Sequence, residues 1–117
     1  MEEKKYPVDT SRILEMEGMK DALTGFVYSE LFTRIRKLKE LDPDTSMDAF
    51  SEVYAVLDIA DAIPTVYLSE RFSPEEKEKL ITEGFARATT KANHALAELE
   101  ERIKKLSPPE PPAKPEA

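Results

Sequence analysis

The chain has 117 residues, a formal net charge of -7 and no cysteine, and these properties exclude several classes of protein. This length corresponds to one small domain, and without cysteine there is no disulfide framework, zinc–thiolate site or cysteine nucleophile. The acidic balance argues against a general nucleic-acid-binding protein, and no charge-free stretch approaches the roughly 18 apolar residues of a membrane span.

The start of the chain is charged and has no periodicity, so residues 1–8 are predicted to form a flexible N-terminal arm. Residues 9–106 then form a single helical domain. Short oxygen-bearing side chains at 9–11 can accept hydrogen bonds from the free N–H groups of a first helical turn. The first helix is predicted from apolar residues that recur in steps of three or four: Met16, Met19, Leu23, Val27, Leu31, Ile35 and Leu38.

Three aromatic residues widen the apolar face of this helix, namely Phe26, Tyr28 and Phe32. We expect a face of this width to contact more than one neighbour, so these residues are interface candidates. Gly18 and Gly25 each cost about 1 kcal/mol relative to alanine in a helix interior. Two explanations remain open: the glycines let another backbone approach closely, or the helix begins after Gly18.

A proline-containing turn is predicted at residues 41–45, where Thr45 and Asp48 resemble a capping box for the next helix. Pro64 is expected to end or kink this second helix, because proline lacks the N–H that a helix interior requires. The apolar residues from Val66 onward would then form a kinked continuation or a short further helix. The inward positions are Phe50, Val53, Leu57 and Ala60, with Tyr54 and Val56 on the shoulders.

The last helix is predicted to begin at Ser73-Pro74-Glu75-Glu76, where an N-cap serine, a proline and a following glutamate each favour a helix start. It runs to about Lys105, and alanines at its middle indicate close helix packing. After Ser107, five of the ten remaining residues are proline, which predicts a disordered, extended tail at 107–117. The inward positions are Ile81, Phe85, Ala88, Ala92, Leu96, Leu99, Ile103 and Leu106.

Together these elements predict an all-α fold. The expected architecture is an antiparallel bundle of three to four helices, in which two long helices flank a shorter one that is kinked near Pro64. A shorter middle helix cannot cover two long helices from end to end. The apolar surface that remains uncovered predicts a homo-oligomer.

His94 is the only histidine, and it shares one helix face with Arg87 and Lys91. An exposed imidazole is a good nucleophile, so this face is a candidate phosphotransfer site, or a small-anion site in which Arg87 and Lys91 supply the charge. The residues after His94 are Ala95-Leu96-Ala97, without the lysine and glycine that histidine phosphotransfer modules place there. The alternative is a surface histidine paired with Glu98.

Acidic residues are concentrated in residues 40–70, a stretch without lysine or arginine. Within it, Asp58 and Asp61 lie three apart on one helical face among apolar residues. We expect them to pair with Arg87 or Lys91 across the bundle. A metal site at these carboxylates is disfavoured, because the histidine-assisted and multi-glutamate constellations of di-iron bundles are absent, and no cofactor is predicted.

Two surface patches complete the candidate sites. Thr89, Thr90 and Asn93 are uncharged where an exposed helix would carry glutamate and lysine, which predicts a buried helix–helix or subunit interface. A basic cluster could contact the phosphates of a nucleic acid, although the acidic net charge disfavours that partner. The basic cluster consists of Arg34, Arg36, Lys37 and Lys39.

The leading hypothesis is a non-enzymatic protein–protein interaction module: an oligomeric adaptor, a chaperone-like factor or a small subunit of a larger assembly. Its partner would be a second copy of itself or another protein. Two alternatives remain, a phosphotransfer or anion-binding module centred on His94 and an accessory subunit that contacts nucleic acid through the basic cluster. No catalytic residues are predicted, because the sequence marks out neither a Ser-His-Asp set nor a convergent carboxylate pair.

The cellular setting can also be predicted from composition. No apolar run follows the charged N-terminal residues, so no secretory signal is predicted and we expect a cytoplasmic protein. The chain has no glutamine and one asparagine, a depletion of thermolabile residues that is typical of thermophilic proteins.

Overall fold

The computed structural model describes residues 5–45 and 50–107, and in these ranges the chain consists of three helices without a strand. The predicted all-α fold is confirmed. None of the helices in these ranges is long and apolar enough to cross a membrane. Residues 1–4 and 108–117, which hold half of the predicted arm and most of the predicted tail, lie outside the described residues.

The first helix, α1, consists of three consecutive segments: an α-helix at Ile13–Phe26, a π-helical turn at Val27–Leu31 and a second α-helix at Phe32–Leu41. Both explanations offered for the two glycines are wrong. The helix begins before Gly18, and no neighbouring atom lies within 4 Å of the position where a Cβ of either glycine would be. Asp9 accepts a hydrogen bond from the Ser11 N–H (2.9 Å), which precedes the helix, so the predicted cap is not formed.

The π-helical turn has a cause in the spacing of the buried residues. Leu23, Val27, Leu31 and Ile35 are all buried and follow one another in steps of four. Four residues turn a regular α-helix through about 400°, so each such step overshoots the core by about 40°. The wider turn at Val27–Leu31 absorbs this drift and keeps both ends of α1 against the core.

The predicted turn after α1 is present, since the Asp42 carbonyl accepts hydrogen bonds from the Thr45 N–H (3.1 Å) and the Thr45 hydroxyl (2.7 Å). The capping box of Thr45 with Asp48 falls on a residue outside the described ranges. The second helix, α2, spans Ser51–Tyr67. It continues through Pro64 to Tyr67, so of the two predicted alternatives the structure shows a continuation of the helix and not an end at the proline followed by a separate short helix.

The third helix, α3, spans Pro74–Leu106. Its predicted start is confirmed in detail, because the Glu76 N–H donates to the Ser73 hydroxyl (3.2 Å) while the Ser73 N–H donates to the Glu76 carboxylate (3.1 Å). Two free donors of the first turn are thereby satisfied, and Pro74 supplies a fixed φ where no N–H partner is needed.

The helices pack around one apolar core, and ion pairs join them. The pairs are Arg12 with Glu78 and Arg34 with Glu100 between α1 and α3, Lys20 with Asp61 between α1 and α2, and Glu52 with His94 between α2 and α3.

Small residues allow α3 to approach the other helices. Gly84 is buried, and a Cβ there would lie 3.6 Å from the Ile59 side chain, an ordinary contact distance. Val56 is fully buried although the sequence placed it on a shoulder, and Leu106 is exposed although it was predicted to point inward. The buried apolar residues are Met16, Leu23, Val27, Leu31, Ile35, Leu38, Phe50, Val53, Val56, Ala60, Ile63, Tyr67, Ile81, Ala88, Ala92, Ala95 and Leu99.

Candidate interaction groove

An aromatic groove lies between α1 and α2, with a volume of about 430 Å³. Four aromatic rings and an isoleucine form its walls, and two cations lie at its margin. Because α1 and α2 both contribute, the groove exists only in the folded bundle. The residues that line it are Tyr28, Phe32, Ile35, Arg36, Lys39, Phe50 and Tyr54.

The aromatic rings form a continuous row across the two helices. The ring centroids of Tyr28 and Phe32 are 5.1 Å apart in a tilted arrangement, and those of Phe32 and Tyr54 are 6.3 Å apart edge to face. Such pairs stabilise each other by about 0.5–1.5 kcal/mol beyond burial. Tyr28 is 60% exposed and Tyr54 is 47% exposed, so the row is ordered without being covered.

The predicted basic cluster is divided between two roles. Arg34 pairs with Glu30 (2.8 Å) and with Glu100 (3.1 Å), and so joins α1 to α3. Arg36 and Lys39 line the groove instead, with the Lys39 Nζ 5.7 Å from the centre of the Phe50 ring. Neither forms an ion pair with any carboxylate in the described ranges. Lys37 is exposed and lies outside the groove lining.

The aromatic interface predicted from α1 is thus only part of the groove. Tyr28 and Phe32 line it, whereas Phe26 is half-buried and packs against the core. Tyr54 and Phe50 were not predicted to belong with them. For Tyr54 a signal was present in the sequence, because a large aromatic on the shoulder of α2 can pack against the neighbouring helix, whereas Phe50 was predicted only as a core residue.

The polar patch is not a contact between helices. Thr89, Thr90 and Asn93 are all exposed, so the predicted burial between helices of one chain is wrong. The two threonine hydroxyls donate to the carbonyls one turn earlier, Phe85 (2.9 Å) and Ala86 (3.1 Å), which removes their need for another partner. A role for this patch between subunits stays a prediction.

His94 is 66% exposed at its side chain and contacts a residue that the sequence did not predict. Its Nδ1 lies 2.8 Å from a carboxylate oxygen of Glu52 on α2, and Glu98 is a second nearby carboxylate on α3. The hydrogen bond to Glu52, its charge and that of Glu98 raise the pKa of His94, whereas Lys91 opposes the shift. Two carboxylates beside His94 disfavour an anion site there, and phosphotransfer stays a prediction.

The expected pairing of the two aspartates with Arg87 or Lys91 is wrong. Asp61 is exposed and pairs with Lys20 of α1 (3.4 Å), and Asp58 is exposed without an ion pair in the part of the chain described. Arg87 lines a small hollow of about 140 Å³ between α2 and α3. Asp61 sits opposite α1, not α3, because it lies on the other edge of α2.

At the opposite end of the bundle from the groove, Arg12, Tyr67 and Lys77 form a closed end that sequence reasoning missed. Lys77 is 7% exposed, and its Nζ donates to the Tyr67 carbonyl (2.7 Å) at the C-terminus of α2. The Tyr67 hydroxyl in turn accepts from the Arg12 N–H at the start of α1 (2.8 Å). All three helices are thereby joined through one tyrosine.

The chain segment before α1 also runs along this closed end. The Tyr6 N–H donates to the Glu70 carbonyl (2.8 Å), and Pro7 lines a small cavity with Tyr67 and Lys77. No buried side-chain polar atom of the described residues lacks a hydrogen-bond partner.

The chain matches no known protein family, no curated protein and no solved structure.

Proposed function

We propose that this chain is a non-enzymatic helical interaction module that self-associates through the aromatic groove. The observation that carries the proposal is a row of exposed tyrosines beside two cations, Arg36 and Lys39, with no carboxylate partner in the described ranges. Tyrosine and arginine are the residue types enriched at the energetic centres of protein interfaces. The order of the ion pairs supports the further proposal that the three helices form an antiparallel bundle.

Charge decides what kind of surface can enter the groove. If two copies met groove to groove around a two-fold axis, Arg36 and Lys39 of both copies would be brought together, and like charges in contact are unfavourable. An acidic occupant removes this repulsion. The occupant must also be narrow and rich in flat apolar surface, since the groove is walled by aromatic rings.

The proline-rich segment at residues 108–112 of a second copy has this chemistry. Its sequence, Pro-Pro-Glu-Pro-Pro, places prolines around the acidic Glu110, and aromatic-lined grooves are the usual docking sites of extended proline-rich segments. Helix α3 ends at Leu106, which lines the same surface hollow as Leu38 of α1. Helix α3 therefore ends at the end of the bundle where the groove lies, and we propose that two copies exchange the segments that follow it.

Light scattering on the full chain at increasing concentration tests this proposal. We expect the mass to rise to twice that of the monomer. The double variant Tyr28→Ala/Tyr54→Ala should remain a monomer, as should Arg36→Glu/Lys39→Glu. The control variant Leu14→Ala/Leu80→Ala removes two exposed apolar side chains elsewhere and should still dimerise.

A charge exchange makes the test specific for the occupant. Glu110→Lys alone should weaken the dimer, and combining it with Arg36→Glu/Lys39→Glu should restore association, because the charges are complementary again. A chain that is monomeric at every concentration overturns the proposal. If the chemical shifts of groove residues in such a monomer differ between the wild type and Glu110→Lys, the segment binds the groove of its own chain. The proposal is also overturned if the groove variants dimerise as the wild type does.

A single-stranded nucleic acid is the competing occupant, since aromatic rings beside cations can stack bases and contact phosphates. The net charge of -7 disfavours it. Salt-sensitive binding of an oligonucleotide that disappears in Arg36→Glu/Lys39→Glu, without any dimer of the wild type, would replace self-association by that role.

A further inference from the structure

Three potential metal ligands from two helices converge on the surface formed by α2 and α3. Glu52 lies in the first turn of α2, and His94 and Glu98 lie four residues apart on one face of α3. One donor atom from each of these side chains lies within 4.8 Å of the other two. This group lies outside the aromatic groove, whose lining it does not share.

We propose that Glu52, His94 and Glu98 bind one divalent transition-metal ion of the zinc type. An imidazole nitrogen and two carboxylate oxygens are donors that Zn²⁺ accepts, at about 2.0–2.2 Å. Mg²⁺ and Ca²⁺ take oxygen ligands, so the imidazole selects against them. Three protein ligands leave a fourth position of a tetrahedral ion open to water.

The geometry requires little movement to admit such an ion. His94 and Glu52 are now 2.8 Å apart, the length of a hydrogen bond. Two ligands of a tetrahedral zinc ion lie about 3.4 Å apart, so the imidazole and the carboxylate need to separate by about 0.6 Å. His94 is 66% exposed, and side-chain rotations suffice for this change. The donor atoms of the three side chains lie within 4.8 Å of one another, so the Glu98 carboxylate has at most about 1.4 Å to close.

Electrostatics favour a cation at this position. Two carboxylates lie close together, and with a neutral imidazole their repulsion is uncompensated. A proton on His94 provides one compensation, and a divalent ion provides a larger one. The charged groups that face the imidazole are Glu52 from α2 and Glu98 and Lys91 from α3, of which only Lys91 repels a cation.

Proton and metal therefore compete for the same imidazole. Only the neutral imidazole binds a metal ion, so the ion must displace a proton wherever the imidazole is charged. Zinc affinity should consequently increase as the pH rises from 5.5 to 7.5.

Isothermal titration of zinc chloride into the full chain, freed of metal by chelation, tests the site. At pH 7.5 we expect saturable binding of one ion per chain, and no comparable binding of Mg²⁺. His94→Ala and Glu52→Gln should each weaken the affinity by about tenfold or more. The matched control is Glu101→Gln, an exposed carboxylate on α3 that pairs with Lys105 and should bind zinc as the wild type does.

Several results would overturn the proposal. Binding that is absent at pH 7.5, equal in His94→Ala and wild type, or stronger at pH 5.5 contradicts a site built on the imidazole. Half an ion per chain would mean that ligands from two copies share the ion. Circular dichroism of each variant shows whether it is folded, and because both substituted side chains are on the surface, loss of binding with unchanged helicity assigns the ligands.

Discussion

The closed end and the aromatic groove both depend on tyrosines, but they use them in opposite ways. Tyr67 is 7% exposed, accepts a hydrogen bond from the start of α1 and offers its carbonyl to the buried Lys77. Tyr28 and Tyr54 are exposed at 60% and 47%, and the ring of each is paired with that of Phe32.

The two ends of the bundle therefore differ in what their tyrosines contribute. At the closed end, burial and hydrogen bonds join all three helices, so interactions there contribute to the free energy of unfolding. At the groove, apolar and cationic surface remains exposed, and we propose that the same residue types contribute to association there. Exposed aromatic surface beside an ordered core is what a binding site requires.

The largest effect is expected from matched tyrosine truncations at the two sites. Tyr67→Ala should lower the free energy of unfolding by about 3 kcal/mol, because it leaves a cavity and removes a hydrogen bond. Tyr54→Ala should lower it by less than about 1 kcal/mol, since half of this side chain is exposed. Urea unfolding followed by circular dichroism measures both. Equal losses of unfolding free energy in the two variants would contradict this difference between the two ends.

The buried lysine provides the next test. Lys77→Met keeps the apolar stem but leaves the Tyr67 carbonyl without its donor, so we expect a loss of about 2 kcal/mol in the same unfolding measurement. Lys79→Met is the control, because Lys79 is exposed on the same helix and should change stability by no more than about 0.5 kcal/mol. If the two variants unfold alike, Lys77 does not stabilise the closed end.

The N-cap of α3 should contribute less than the buried lysine. Ser73→Ala removes the acceptor for the Glu76 N–H and should cost about 1 kcal/mol. Thr82→Ala, at an exposed position in the interior of the same helix, should change stability by no more than about 0.5 kcal/mol. A neutral Ser73→Ala would show that the capping box is replaced by water without loss.

The smallest effect is expected at the groove half of the bundle, from the pair of His94 and Glu52. Because the pKa of His94 is raised in the folded chain, its stabilising contribution is complete below its ordinary value of 6.5 and is lost as the pH rises through the raised value. The melting temperature should therefore fall between pH 6 and pH 8 by more in the wild type than in Glu52→Gln, measured with a chelator present.

Acidic groups do not interfere in this pH window. Hydrogen bonds from the backbone of Ser11 and Ser73 lower the pKa of Asp9 and of Glu76, and that of Glu15 is lowered by Arg12. Their contributions are present above their ordinary values and are lost only as the pH falls below about 4. Identical pH profiles for wild type and Glu52→Gln between pH 6 and pH 8 would contradict the pairing.

Local features were predictable from the sequence, whereas contacts between helices were not. The start of α3 was predicted correctly because Ser73, Pro74 and Glu76 act on each other within one turn. Lys77 was missed because its partner is a backbone carbonyl ten residues away. Every residue has such a carbonyl, so the sequence does not distinguish the one that accepts. Glu52 and His94 are 42 residues apart and meet only when α2 and α3 are aligned.

The π-helical turn at Val27–Leu31 bears on which insertions and deletions the chain tolerates. A turn of this kind already accommodates one residue more than a regular helix. Deleting a single residue from it would bring Leu23 and Ile35 eleven positions apart instead of twelve, which a regular α-helix covers in about three turns, so Leu38 would stay in the core. The same deletion just after Phe32, where the helix is regular, would rotate everything that follows by about 100°, and Leu38 would leave the core. A deletion of the same size in the exposed turn at residues 42–45 would leave this register intact.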